Sequence, residues 1–227
     1  MGELYEKGGG YMSVLSKIAY LQGVMNEIPN QMLAKELAET ENMAGIKEIA
    51  SNLFNKDKNI QSDCLKVLYE IGYIKPELIS GYAGEFLKLL KSRNNRLVWG
   101  AMIALAVIAP IKAEELYDNL DAIYSAIKEG SVITIDNGIK VLAIIASKNE
   151  EYNKVIFPYL INHLRTCRPK EVCQHSESIF TAVNLQNKDA FLEVLKEREI
   201  SLTNVQLARV KKLYRTVEKL NSNKGLC

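Results

Sequence analysis

Apolar residues return in this chain every 37 positions. Stepping by that interval from Ile46 reaches Ala83, Leu120 and Phe157; from Ile49 it reaches Phe86, Ile123 and Leu160; from Leu53 it reaches Leu90, Ile127 and Leu164. Within each unit these three positions follow i, i+3, i+7 spacing, which is one face of an amphipathic helix. A second apolar set runs in the same register: Leu68, Leu105, Leu142 and Ile179, with Ile71, Ile108, Ile145 and Ala182 one turn on. Each unit therefore predicts two helices. Cys64, Ala101 and Gly138 are the small residues of the second helix, where a neighbouring helix can approach closely. A fixed period of about 20 to 50 residues marks stacked supersecondary units, because one helical pair cannot bury its own apolar face and the stack can. Each Leu or Ile so buried contributes on the order of 1.5 to 3 kcal/mol.

Polar turns such as NKDKN, SRNN and KEGS fall between the two helices of a unit, and IKPE and IKAE fall between units, with Pro76 placed for a first helical turn. The β-branched run SVITI at 131–135 is short and lies inside the repeat register, so it predicts helix rather than strand. The expected organisation is a leader over 1–11, a single α-solenoid domain over 12–221 and a tail over 222–227. Clear repeats span about 42–74, 76–110, 113–147 and 150–185, with degenerate capping pairs at both ends. The last segment carries Leu202, Val205, Val210, Leu213, Val217 and Leu220 along one side and basic residues around the rest, as a capping helix requires.

The stretches DKNIQSDCLKVLYEIGYIKPELI (57–79) and NNRLVWGAMIALAVIA (94–109) resemble the second helices of HEAT-like and armadillo-like repeats. The family pattern of an acidic or amide start, an aliphatic residue, a small residue and then an Ala-Leu pair is matched by Asp57, Ile60, Cys64, Val67 and Leu68. Asn94, Leu97, Ala101, Ala104 and Leu105 match it again, and the resemblance covers roughly 42–185. It implies an all-α fold, a right-handed α-solenoid of stacked antiparallel helical pairs. Where many HEAT units carry an arginine early in the second helix, this chain has Gln61, Val98 and Ile135, so the Asp/Arg ladder of that family is absent. Alkylation-repair DNA glycosylases are also built from HEAT-like repeats and use tryptophans with an aspartate. Trp99, the one tryptophan here, lacks that neighbourhood, and no catalytic residue carries over.

Composition sets few further limits. The longest uncharged apolar run, 98–111, is too short to span a bilayer and predicts a buried helix. The first residues are acidic with a triple glycine where a signal peptide needs a basic start, so a cytoplasmic protein without membrane association is expected. Four cysteines, at 64, 167, 173 and 227, make no disulfide framework and are expected to be free thiols. Phosphate-binding loops, nucleophile elbows and the H-E-x-x-H metal motif are missing from the sequence, so no enzyme and no cofactor is expected.

One window concentrates chemistry. HLRTCRPKEVCQH, residues 163–175, holds both histidines and two cysteines. His163, Cys167, Cys173 and His175 make a permissible zinc set. The spacing matches no common structural-zinc pattern, and Cys173 and His175 lie about 200° apart on an ideal helix. By register, His175 stands 37 after Gly138 and His163 stands 37 after Ala126, so packing is the preferred reading and no metal is expected.

Net charge is +2, yet residues 161–227 carry 12 Lys/Arg against 7 Asp/Glu. Arg165, Arg168, Lys170, Lys211, Lys212 and Arg215, with Lys219 beside them, are the candidate phosphate contacts if the partner is a nucleic acid. The favoured reading from the resemblance is a scaffold or adaptor for a protein or peptide partner on the concave second-helix surface. Its candidate contacts are Lys66, Glu70, Asn95, Arg96, Trp99, Asp136, Asn137 and Lys140. Nothing in the sequence sets the oligomeric state.

Overall fold

Side chains that cap helices recur at the period of the apolar face. Asp57, Asn94 and Ser131, 37 apart, accept backbone N–H bonds from Asn59, Arg96 and Thr134 and start the second helices of successive units. The computed structural model describes residues 13–222, with side chains to 219. Among the described residues there is helix and turn but no strand, and 131–135 is helical as its register predicts.

Two compact units are present, one running to Ile79 and the other from Ser80. In the first, a short 3-10 turn at Leu15–Lys17 precedes α1 (Ile28–Glu39), α2 (Met43–Ser51) and α3 (Lys58–Ile74). α1 packs along α3, burying Leu33, Leu37, Leu65, Leu68 and Ile71. Asn42 caps α2 by accepting from Gly45 N–H. Pro76 opens a 3-10 turn, as the sequence predicts for the IKPE junction.

The second unit comprises α4 (Ala83–Leu89), α5 (Asn95–Tyr117), α6 (Leu120–Glu129), α7 (Val132–Ala146), α8 (Glu150–Thr166), α9 (Val172–Ile179), α10 (Lys188–Arg198) and α11 (Asn204–Ser222). α5 packs on α4 and α7, and α7 packs on α6, α8 and α9. Of the twelve first-helix positions named from the sequence, only Leu120 is half-exposed; the eight second-helix positions are all buried.

IKAE behaves unlike IKPE. The helical run Asn95–Tyr117 is interrupted inside IKAE by a kink rather than a 3-10 turn, with Lys112 outside helical geometry at φ −111° and ψ 24°, two residues after Pro110. Counted across that kink, the run of 23 residues is longer than the apolar run that foretold it and by length and composition is apolar enough to cross a membrane. Most of its apolar side chains are nonetheless core: Leu97, Ala101, Met102, Leu105 and Ile108 are buried, with Ile111 exposed.

The capping helix α11 presents a narrower apolar side than expected. Val210 and Val217 are buried and Leu213 half-buried, but Val205 is exposed. The i, i+7 pair lies on the face turned to the chain, whereas Val205 sits in the first turn, off that stripe. Leu220 lies outside the described side chains, the leader over 1–11 lies outside the described residues, and of the tail over 222–227 only Ser222 is described, as the end of α11.

Candidate functional site

The window 163–175 forms the end of α8, a turn and the first half of α9. At the position one period after Ser131 stands Arg168, which has no acceptor with which to cap a helix. Glu171 takes over instead: its carboxylate accepts from the Arg168 backbone N–H at 3.2 Å and from the guanidinium Nε at 2.9 Å. The Arg168 guanidinium holds the Glu171 carboxyl below the usual carboxylate range, against the burial that raises it. On the other side of the turn, Arg198 of α10 donates to the carbonyls of Leu164 at 3.1 Å and Cys167 at 2.7 Å, groups that the last turn of a helix leaves open.

His175 is fully buried. Its Nε2 lies 2.8 Å from Asp136 Oδ1, and its Nδ1 lies 2.9 Å from His163 Nε2. A carboxylate only accepts, so His175 carries its proton on Nε2 and offers a bare Nδ1; His163 then donates from Nε2. These tautomers are assigned from the network. The result is a directed chain from α8 through α9 to α7. Burial, with His175 beside it, pushes the His163 imidazole down to about 4, so that ring is neutral near neutral pH.

Cys167 completes the group. Its backbone N–H donates to His163 O at 2.8 Å as the cap of α8, its thiol is buried, and burial pushes that thiol up to about 11. The ligand atoms of His163, Cys167 and His175 lie within 4.8 Å of one another. Cys173, the fourth residue of the permissible zinc set, is elsewhere: its thiol donates to Gln206 O of α11 at 3.4 Å. The half-turn between Cys173 and His175 on one helix separates them, as their spacing requires. An open cleft of about 370 Å³ reaches His163; Tyr124 and Tyr159, in ring contact at 4.5 Å between centroids, form part of its lining.

The predicted partner contacts divide. Lys66 binds Glu70 at 2.6 Å and Glu27 at 2.8 Å and lies over the Tyr69 ring, so both it and Glu70 are engaged within the first unit. Asp136 is engaged by His175, and Asn137 donates to Ile133 O. Trp99 is half-buried, whereas Asn95, Arg96 and Lys140 are exposed on α5 and α7. Of the basic residues, Arg165 pairs with Glu197 at 2.8 Å and Arg168 with Glu171, while Lys170, Lys211, Lys212, Arg215 and Lys219 are exposed.

The sequence reading missed two functional features of this site. Asp136 was grouped with surface contacts, although it precedes His175 by one period plus two residues, which places the pair on neighbouring second helices within a turn. Arg198 gave no signal, since nothing in its local pattern points to carbonyls more than thirty residues earlier.

No family model matches the chain, and no curated protein matches it in sequence. Solved structures do match in fold. An engineered protein aligns with a TM-score of 0.63 at 22% identity, covering 93% of this chain and 100% of that one. A designed armadillo repeat protein in complex with the peptide (KR)4 gives a TM-score of 0.58 at 16% identity, covering 92% and 96%. Kap121p gives 0.60 at 14% identity, with 87% of this chain covering 22% of that one. The fold is an all-α solenoid of the HEAT-like and armadillo-like kind.

Proposed function

We propose that this chain is a non-enzymatic scaffold that holds a protein or peptide partner on the exposed side chains of its second helices. The supporting observation is the fold itself: stacked helical pairs matching a designed armadillo repeat protein over nearly the whole of both chains. Such a fold commits its apolar residues to stacking and leaves rows of polar ones outward. Asn95 and Arg96 on α5 and Lys140 on the adjoining α7 are the exposed members of the candidate surface, and Trp99 borders them. Against catalysis, the one cysteine beside imidazoles is pushed up rather than down, the reverse of an activated nucleophile. A cytoplasmic setting belongs to this reading, which treats Cys64, Cys167 and Cys173 as reduced thiols.

The test is the double charge reversal Arg96→Glu with Lys140→Glu in the full chain, used as bait beside the unmodified protein. Proteins retained by the original and lost by the variant, with thermal unfolding unchanged, support the surface. An identical retained set sinks it.

A further inference from the structure

The geometry points to a transition-metal site of the zinc type built from His163, Cys167 and His175, with Asp136 orienting His175 from behind. Four observations converge on it. The donors are two imidazole nitrogens and a sulfur, a set suited to zinc and unsuited to calcium or magnesium, which take oxygen. All three lie within 4.8 Å of one another without help from a ligand. His175 presents Nδ1 because its Nε2–H is held by Asp136 at 2.8 Å, the carboxylate support that metal-bound histidines commonly have. His163, half-buried, lines an open cleft with Lys128, Ile135 and Tyr159, which gives a metal an entry path.

The adjustment required falls mainly on the sulfur, which has to close up to about 1.2 Å of the 4.8 Å spread. Zinc with tetrahedral N and S ligands sets nitrogens roughly 3.3 Å apart and sulfur roughly 3.6 Å from each. The His163–His175 separation of 2.9 Å therefore opens by about 0.4 Å. The Cys167 sulfur turns in from Leu164 O, to which its thiol now makes a long contact at 3.6 Å. Backbone movement is restrained, because Arg198 and the His163 carbonyl already fix both sides of Cys167. On binding, the S–H bond gives a Zn–S bond and the thiol proton leaves to solvent. His163 exchanges its Nε2 proton for one on Nδ1, so no other proton is lost, and Asp136 keeps its bond to His175. Three ligands come from the chain, and water fills the fourth position.

Three donors from the last turn of α8, its cap and the second turn of α9 would tie together the two helices that the 167–171 turn joins. This use is independent of the partner surface, which lies on other residues.

Chelator-treated full-length protein titrated with cobalt(II) tests the site. One cobalt per chain is expected, with tetrahedral visible bands and a thiolate charge-transfer band, displaced by zinc. Cys167→Ser should lose the charge-transfer band, and His163→Gln should lose high-affinity binding. Asp136→Asn should keep the bands while weakening affinity by about 10- to 100-fold. Cys173→Ser and Cys227→Ser should bind as the original does, and zinc should raise the melting temperature of every chain that binds it. Circular dichroism of each variant confirms its helix content; if one of the substitutions unfolds the chain, the other two decide. Absence of the bands in the original protein, or bands unaltered in Cys167→Ser and His163→Gln, overturns the proposal.

Discussion

The α6–α7 and α8–α9 pairs occupy the same repeat register and bring their two helices together by opposite means. In the first, the close approach is made by absence of a side chain. A Cβ on Gly138 would lie 2.4 Å from Ile127 Cγ1, so only glycine lets α7 settle against α6. In the second, His175 stands where Gly138 stood and meets His163 across a 2.9 Å hydrogen bond. The steric contact is complete within its own pair. The polar one is not, since a buried imidazole needs a partner at each nitrogen and the second must come from Asp136 on α7. Register thus fixes where helices touch, and residue chemistry decides whether that contact binds a third helix.

Breaking the polar pair should have the largest effect. His175→Leu keeps the volume but leaves His163 and Asp136 without their partner, at about 1–3 kcal/mol for a buried orphaned group. With Asp136 partly exposed, the expected loss in urea unfolding is about 3 kcal/mol, mostly from the buried side. A loss below that of an ordinary surface change would mean the chain of bonds adds nothing to stability.

Next comes the steric pair. Gly138→Ala should destabilise by about 1–3 kcal/mol through overpacking. The double variant Gly138→Ala with Ile127→Ala should be more stable than the sum of its single changes, a coupling of about 0.5–3 kcal/mol. Strict additivity in denaturant unfolding would show that the two do not press on each other. Smallest of all, Arg165→Ala should shift stability by about 0–1 kcal/mol, because its pair with Glu197 is close to half-exposed on both sides. A larger shift would move the weight of this hairpin from its buried centre to its rim.

Much of this was legible without coordinates. The interval of 37 placed the buried positions of both helices, and the polar turns that follow it proved to hold caps at Asp57, Asn94 and Ser131. The IKAE junction, too, marked a break: Lys112 leaves helical geometry there, though without the 3-10 turn that Pro76 opens at IKPE. At the site, the sequence marked the window in which His163, Cys167 and His175 come together, and added Cys173, which lies apart from them. Cys173 and His175 are near in sequence and opposed on the helix, whereas Asp136 is far in sequence and in bond contact.

Periodicity is a one-dimensional property, and what it determined here is what one dimension can hold: helix faces, their alternation, and the fact that neither helix of a pair could be buried alone. Those follow from matching apolar spacing to the pitch of a helix, whatever surrounds it. The tertiary structure alone decided which polar side chains meet. Hydrogen bonds act over about 3 Å and depend on direction, so the union of Asp136, His175 and His163, and the exclusion of Cys173, depended on how α7, α8 and α9 came to rest against one another.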